Sequence, residues 1–201
     1  MTTDNNHLIV FARNPELGKI KTRLAKSVGD HNALKVYLHL LEHTAHICSS
    51  LKVDKHIYYD SFIELDDIFP ENVFQKSIQS GDDLGFRMYN AFKDVFGQWG
   101  KKIVLIGTDC FELNASIIED AFKALDTNDA VVGPAKDGGY YLIGMTNLKK
   151  EFFVQKTWGG ENVLLDTLID FKKMGINYSL LPSLNDVDHK EDLGDLEKLI
   201  E

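Results

Sequence analysis

Two continuous apolar runs, Leu8–Ala12 and Ile103–Ile106, constrain the fold of this chain more than any other feature. An apolar run of strand length without polar alternation is typical of a β-strand that is buried on both faces. Segments with helical periodicity separate these runs from weaker strand-like segments, so strands and helices alternate along the chain. The pattern predicts an α/β fold in three α/β/α layers, with a mostly parallel sheet covered by helices on both faces.

After the first strand, the predicted strands are 56–59, 73–78, 102–106 (which contains the second apolar run), 130–132, 140–145 and 178–181. Predicted helices cover about 31–51 with Asp30 as N-cap, 114–125 with Asn114 as N-cap, 162–174 and 191–200. Another helix starts after Asp82 or Asp83, and its apolar face comprises Leu84, Met88, Ala91, Val95 and Trp99. The sequence contains no repeat, low-complexity tract or linker-like segment, which favours a single domain over residues 1–201.

Composition narrows the possible partners. The formal net charge of the 201 residues is −9, which disfavours a nucleic-acid binder because a phosphate backbone attracts a basic surface. No apolar run approaches the roughly 18 residues of a membrane span. The polar start, MTTDNNH, lacks the layout of a signal peptide, and two distant cysteines imply no disulfide framework. We therefore expect a cytoplasmic protein without a membrane span, and its oligomeric state stays open.

Ligands of parallel α/β sheets bind beyond the carboxyl ends of the strands, so the residues after each strand are the candidates. After the first strand, four cations fall within eleven residues: Arg13, Lys19, Lys21 and Arg23. Pro15 and Gly18 predict an irregular loop over this stretch. Such cations suit a diphosphate or triphosphate, although a solvated basic loop is the alternative. Neither a P-loop nor a GxGxxG fingerprint is present.

Acidic residues follow two other strands. Asp109, next to Thr108, ends a buried strand, where a carboxylate suits Mg²⁺ or Mn²⁺, and its alternative role is a turn cap. A metal ion needs a second carboxylate, and Asp186 and Asp188 are two residues apart, on one side of an extended segment. As an alternative, Asp188 forms a capping box with Glu191.

Two glycine-containing motifs complete the candidate site. Gly138 and Gly139 allow a ligand to approach the backbone next to Asp137, which could orient a sugar hydroxyl or act as general base. A hairpin turn is the alternative. The backbone from Gly81, with Asp83 and Arg87, could contact a ribose or phosphate, or Asp83 could cap a helix and pair with Arg87.

Three histidines of the first long helix share one face, which we interpret as solvent-exposed rather than as a metal site: His39, His43 and His46.

Five motifs in this order carry a resemblance to a known family: FARNPELGKIKTRL, QSGDDLGFRMYNAF, IGTDCFEL, GPAKDGGYYLIGM and DVDHKEDL. Over about residues 8–193 the chain resembles a bacterial family of small glycosyltransferase-A-fold proteins, classed with nucleotide-diphospho-sugar transferases and mostly of unassigned activity. The resemblance implies a Rossmann-like α/β domain that binds a nucleotide or nucleotide-sugar with a divalent cation. Phe111 and the pair His189–Lys190 depart from the usual TDCP and DVDTPEDL patterns, and neither change removes a carboxylate.

The resemblance also implies roles for the candidate residues. Asp109 is similar to the last acid of the DxD element of glycosyltransferases, whose first position is Gly107 here, so metal binding would need Asp186 or Asp188. We therefore expect metal-dependent transfer of a sugar from a nucleotide-diphospho-sugar to a small acceptor. Asp137 would then orient or deprotonate the acceptor, and Lys21 and Arg23, with Arg13, would stabilise the leaving nucleoside diphosphate. Nucleotidyl transfer with release of pyrophosphate and non-catalytic nucleotide binding are the alternatives.

Overall fold

Strands from the whole length of the chain build a single sheet. A computed structural model describes residues 6–98 and 101–200. In these residues, seven strands form the sheet in the order β3-β2-β1-β4-β6-β5-β7. The strands are β1 Asn6–Ala12, β2 Asp54–Tyr59, β3 Phe74–Ile78, β4 Lys102–Ile106, β5 Ala130–Pro134, β6 Tyr140–Met145 and β7 Tyr178–Leu180. Strand β6 runs antiparallel to β4 and β5, and the other pairings are parallel, so the predicted mostly parallel sheet is confirmed.

Helices cover both faces of this sheet. They are α1 Thr22–Val28, α2 Asp30–Ser49, α3 Leu84–Gln98, α4 Ala115–Ala124 and α5 Val163–Met174. Three 3₁₀ segments span Lys150–Phe153, Lys190–Asp192 and Gly194–Leu199.

The apolar run of β1 shows why both faces are covered. Val10 belongs to a core with Tyr37 of α2 and Ile118 of α4. Its neighbour Ile9 belongs to a second core with Phe92 of α3. Successive side chains of a strand point to opposite faces, so a run without polar residues requires apolar layers on both sides.

The structure corrects three predictions about elements. Part of the predicted irregular loop is helix α1, because buried Leu24 packs with α2 and with Val187. The N-cap of α2 is Gly29, and Asp30 is the first helical residue. The predicted closing helix is two 3₁₀ segments that are divided at Leu193, and Gly194, a poor helix residue with a φ of +51°, begins the second. Asn114 caps α4 as predicted, and Trp99 lies outside the described residues.

Candidate active site

A cavity of about 600 Å³ lies at the carboxyl-end edge of the sheet, where sequence reasoning placed the site. Seven predicted site residues line it: Arg13, Arg87, Thr108, Asp109, Asp137, Gly139 and Asp186. The predicted residues outside the lining are Lys19, Lys21, Arg23, Gly81, Asp83, Gly138 and Asp188. Some of these outer residues still contact the lining, as described below.

Arg13 is held in place by a tyrosine of α2. The hydroxyl of Tyr37 accepts from the Arg13 backbone N–H at 2.8 Å and donates to the Arg13 carbonyl at 3.0 Å. Burial holds the pKa of this hydroxyl well above its ordinary value, so it keeps the proton that it donates. The guanidinium pairs with Asp60 at 3.4 Å and donates to the carbonyl of Lys19 at 2.9 Å. Arg13 is thus fixed at the rim of the cavity.

Buried Asn14 joins the loops that follow β1 and β2. Its backbone N–H donates to Asp60 at 2.7 Å, and its side-chain carbonyl accepts from the N–H groups of Ser61 and Phe62. Its amide N–H in turn donates to the carbonyl of Phe62 at 3.0 Å. These bonds make one connected rim from two loops, and the positions of Arg13 and Asp60 depend on it.

The other three cations of the predicted basic loop point in different directions. Lys19 is exposed and pairs with Glu16 at 2.6 Å. Lys21 is buried and pairs with Asp109 at 2.6 Å and with Asp188 at 3.2 Å. Arg23 also pairs with Asp188, at 3.1 Å. Two of these cations therefore pair with the acids that the sequence suggested as metal ligands, and phosphate binding by this stretch stays a prediction.

The segment around Val187 brings the acidic residues together. The Val187 N–H donates to the Asp109 carbonyl at 2.9 Å, and the Val187 side chain is buried. Asp186 and Asp188 flank it, and the charges of Asp109 and Asp188 both act on Asp186. The predicted clustering is thus observed. The predicted capping box of Asp188 and Glu191 is wrong, since His189 and Asp192 form that box instead.

We call Asp109, Asp137, Asp186 and Asp188 the carboxylate cluster. Burial first, and then repulsion by Asp109 and Asp137, raises the pKa of Asp186 to about 7. The attraction of Lys21 opposes this rise without cancelling it. In the described part of the chain, four acids share two paired cations, Lys21 and Arg23, so the cluster is only partly neutralised.

The turn between β5 and β6 presents Asp137 to the cavity. The Asp137 carboxylate accepts from the Gly139 N–H at 2.8 Å, which fixes its orientation. Gly138 has a φ of +90°, and an added Cβ would lie 1.9 Å from the Glu161 carbonyl oxygen. Gly138 thus allows the turn to pack against residue 161, as the hairpin-turn alternative predicted for this position. Asp137 and Gly139 line the cavity.

Helix α3 begins with Asp83 as its cap, which was the alternative to a contact with ribose or phosphate. The Asp83 carboxylate accepts from the Phe86 N–H at 2.7 Å, which is a helix cap. The Arg87 side chain donates to the Gly81 carbonyl at 3.3 Å rather than pairing with Asp83, and it lines the cavity. Gly81 and Asp83 therefore position the start of α3, and Arg87 is the member of this motif at the cavity.

Sequence reasoning missed the segment Trp158–Gly160, which lines the cavity with Asp60 and Gln79. An added Cβ on Gly85 of α3 would lie 2.4 Å from the Trp158 indole nitrogen, so a glycine there allows the tryptophan to pack. The Trp158 ring lies edge-on to Tyr140 at 6.4 Å between centroids. The signal in the sequence was a tryptophan followed by two glycines outside any predicted element.

The histidines of α2 are less exposed than predicted. His46 is exposed, but His39 and His43 are half-buried against the Phe111 ring. His43 also hydrogen-bonds the Leu113 carbonyl at 2.7 Å. Phe111 thus packs on α2, which explains how this loop is held although it departs from the family pattern.

The donor chemistry of the cluster is suited to Mg²⁺ or Mn²⁺, which prefer carboxylate oxygens. Within residues 6–98 and 101–200, no group of three or more His, Cys, Asp or Glu side chains is already arranged to hold a metal ion. The Lys21 ammonium instead lies between Asp109 and Asp188, as a cation does in a metal site. The residues therefore fit a divalent cation in type and charge, with an ammonium in its place.

The comparisons with known proteins agree with this architecture. A family described as uncharacterized proteins conserved in bacteria, DUF2064, matches residues 44–160. The chain belongs to this family. The crystal structure of a provisionally named nucleotide-diphospho-sugar transferase from Desulfovibrio desulfuricans G20 is 31% identical to this DUF2064 protein, with a TM-score of 0.88. The match covers 96% of this chain and 86% of that one.

More distant structures share the fold of this DUF2064 protein. The 4-diphosphocytidyl-2C-methyl-D-erythritol synthase of Anaerococcus prevotii DSM 20548 matches with a TM-score of 0.62 and 12% identity, over 98% of this chain and 96% of that one. The inositol-1-phosphate CTP transferase of T. maritima matches with a TM-score of 0.60 and 12% identity, over 96% and 94%. These matches confirm the Rossmann-like fold of nucleotide-diphospho-sugar transferases. No curated protein matches the chain in sequence. No helix among the described residues is long and apolar enough to cross a membrane.

Proposed function

We propose that this DUF2064 protein is an enzyme that transfers a sugar from a nucleotide-diphospho-sugar to a small acceptor, with Mg²⁺ or Mn²⁺ as cofactor. The observation that carries the proposal is the juxtaposition of Arg13 and Arg87 with three acids of the carboxylate cluster, Asp109, Asp137 and Asp186, around one cavity. Cations suit the diphosphate of the donor, and carboxylates suit the metal ion that accompanies it. The similarity to the Desulfovibrio protein, whose name gives this substrate class, supports the proposal.

The residues take separate roles in this proposal. Arg13 and Arg87 bind the nucleotide phosphates, and Asp109 with Asp186 or Asp188 holds the cation. When bound, the cation supplies positive charge that stabilises the leaving nucleoside diphosphate. Lys21 pairs with Asp109 and Arg23 pairs with Asp188, so both add positive charge on the side of the cation. The reaction breaks the bond between the sugar carbon and the diphosphate oxygen.

The acceptor binds on the side of Asp137. An acceptor hydroxyl donates to the Asp137 carboxylate, which takes its proton as the hydroxyl oxygen bonds to the sugar carbon. The rings of Tyr140 and Trp158 line the same part of the cavity and offer apolar faces to a sugar. The only Lys or Arg side chains among the described lining residues are Arg13 and Arg87. This favours an uncharged acceptor over a phosphorylated one.

Nucleotidyl transfer is the second candidate, because cytidylyltransferases share the fold and a cation follows β1. A phosphorylated substrate would then attack the α-phosphate of a nucleoside triphosphate, and pyrophosphate would leave. The lack of further cations on the acceptor side disfavours this candidate.

Calorimetric titration with a panel of nucleotide-sugars and nucleoside triphosphates, with and without Mn²⁺, tests the proposal. The expected result is metal-dependent binding of a nucleotide-sugar that is lost in Asp109→Asn and retained in Asp120→Asn, an exposed acid of α4. Incubation of the bound donor with candidate acceptors should release nucleoside diphosphate. Release of pyrophosphate from a triphosphate would establish the second candidate instead. Metal-independent binding without turnover would favour a non-catalytic nucleotide-binding protein.

A further inference from the structure

Lys21 is a buried cation between two acids. Its side chain is 5% exposed, and its ammonium lies 2.6 Å from an Asp109 oxygen and 3.2 Å from an Asp188 oxygen. The Lys21 ammonium therefore contacts both carboxylates from a buried position.

The backbone at Lys21 is held in an unfavourable conformation. Its φ of 45° and ψ of 41° are left-handed, and only one other non-glycine residue of the described chain, Gln155, has a positive φ. The neighbours Ile20 and Leu24 are buried on either side and anchor the segment. The left-handed region is unfavourable for a residue with a Cβ. Packing of Ile20 and Leu24 therefore maintains a strained backbone that brings this ammonium to the two acids.

An ammonium and a divalent cation compete for the same oxygens. The Oδ1 atoms of both Asp109 and Asp188 contact Lys21, while the second oxygen of Asp188 contacts Arg23. Two cations at contact distance repel each other strongly in a partly buried site. A metal ion therefore cannot bind these two Oδ1 atoms together while the Lys21 ammonium contacts both of them.

We propose that Lys21 is an exchangeable internal cation. It occupies the place between Asp109 and Asp188 in the absence of metal and leaves it when the metal ion binds. Its flexible stem then carries the ammonium away from the two acids, toward any anionic ligand that accompanies the metal. The inference rests on the metal site of the proposed function. Its consequence is that the free protein binds metal weakly, and that metal affinity is set by a residue that is not a metal ligand.

Titration of the full chain with Mn²⁺ alone, followed by calorimetry, tests the inference without any nucleotide. Lys21→Met removes the charge and keeps the apolar stem. Lys21→Gly also removes the charge and suits the left-handed backbone, which protects the test against misfolding of the first variant. Lys26→Met is the matched control, because it removes one positive charge from an exposed position of α1.

Both Lys21 variants should bind Mn²⁺ at least about tenfold more tightly than the wild type, since a like charge at contact distance is gone. Lys26→Met should behave as the wild type. Adding Asp109→Asn to Lys21→Met should abolish the gain, which locates the gained site at Asp109. Unchanged or weaker Mn²⁺ binding in the Lys21 variants, or no binding in any variant, would overturn the inference.

The outcome is separate from that of the proposed function. If no nucleotide-sugar binds but Lys21→Met still gains Mn²⁺ affinity, the transferase proposal fails and the cation exchange stands. If a nucleotide-sugar is turned over while the Lys21 variants show no gain, the exchange fails alone.

Discussion

The two sides of the cavity differ in how well their charges are balanced. On the side of β1 to β3, Arg13 is paired with Asp60, and Tyr37 and Asn14 hold its backbone and loop in place. On the side of β4 to β7, the four acids of the carboxylate cluster pair with only Lys21 and Arg23 among the described residues, so the cluster is only partly neutralised. The first side thus holds its cation in a fixed place with a partner of opposite charge. The second side requires a cation, which Lys21 supplies from within the chain.

The largest expected effect comes from the carboxylate side. Asp109→Asn keeps the shape of the side chain but removes a charge at the centre of the cluster. We expect transferase activity to fall on the order of 100-fold, the loss typical when one charge-stabilising group is removed from an active site. Steady-state kinetics with the donor identified by titration measures it, and Asp120→Asn serves as control. Activity within twofold of the wild type would show that the imbalance of charge has no role in catalysis.

Loss of the cation on the β1 side should lower the affinity for the donor and leave Mn²⁺ binding unchanged. Arg13→Ala removes a cation that the rim holds in place, and a charged hydrogen bond contributes about 1.5–3 kcal/mol. We expect donor affinity to fall about tenfold or more by calorimetry, while Mn²⁺ binding without donor is unchanged. Lys93→Ala, an exposed lysine of α3, is the control. A loss of Mn²⁺ binding in Arg13→Ala would mean that the two sides are not separable.

Burial and charge repulsion at Asp186 predict that a neutral residue in its place stabilises the fold. The folded-state pKa of Asp186 lies above the ordinary 3.8, so the folded protein binds more protons than the unfolded chain between pH 4 and 7. This residue therefore lowers the stability of the fold as the pH rises through that window.

We expect Asp186→Asn to raise the free energy of unfolding at pH 8 by about 1–2 kcal/mol, a value discounted because solvent reaches this half-buried carboxyl. Urea unfolding at pH 4 and pH 8 measures the difference, which should be small at pH 4. A variant that is less stable than the wild type at pH 8 would contradict the electrostatic account.

The smallest expected effect is a loss of stability as the pH falls, and it comes from two histidines near the amino ends of β1 and β2. His7 and His56 are buried and hydrogen-bonded to each other at 3.0 Å, near Asp54. Burial, followed by His7, lowers the pKa of His56 to about 4. The unfolded chain binds more protons between pH 6.5 and 4, so stability is complete above pH 6.5 and falls as the pH is lowered through this window.

His56→Gln should reduce the acid-induced loss of stability by about 1 kcal/mol. Urea unfolding at pH 7 and pH 5 measures the change, alone and combined with Asp186→Asn. Because the two sites lie at opposite ends of the sheet, we expect their effects to add. An unchanged difference between pH 7 and pH 5 would exclude the histidines as its source.

Much of the architecture follows from local patterns. The apolar runs of β1 and β4 predicted buried strands, and this succeeded because a strand with helices on both faces needs apolar residues throughout. The switch from strand to helix periodicity predicted the alternating order of the elements. The rule that ligands bind at the carboxyl ends of strands predicted the edge at which Asp109, Asp137 and Asp186 meet. These inferences succeeded because each depends on burial or on strand direction, which a short segment already encodes.

The partners of the charged residues were decided by tertiary structure. Lys19, Lys21 and Arg23 lie in one basic stretch, and the sequence does not show that their surroundings differ. In the structure, the short helix α1 packs through Leu24, Lys21 is buried and Lys19 is exposed. The roles of Trp158 and Gly85 were likewise invisible, because their contact joins a loop to a helix more than seventy residues away. Local patterns in the sequence predicted most of the elements and the edge at which the chemistry lies, but not helix α1 or the closing 3₁₀ segments. Which cation meets which acid was decided only in three dimensions, since Coulomb attraction depends on distance through space and on burial rather than on separation along the chain.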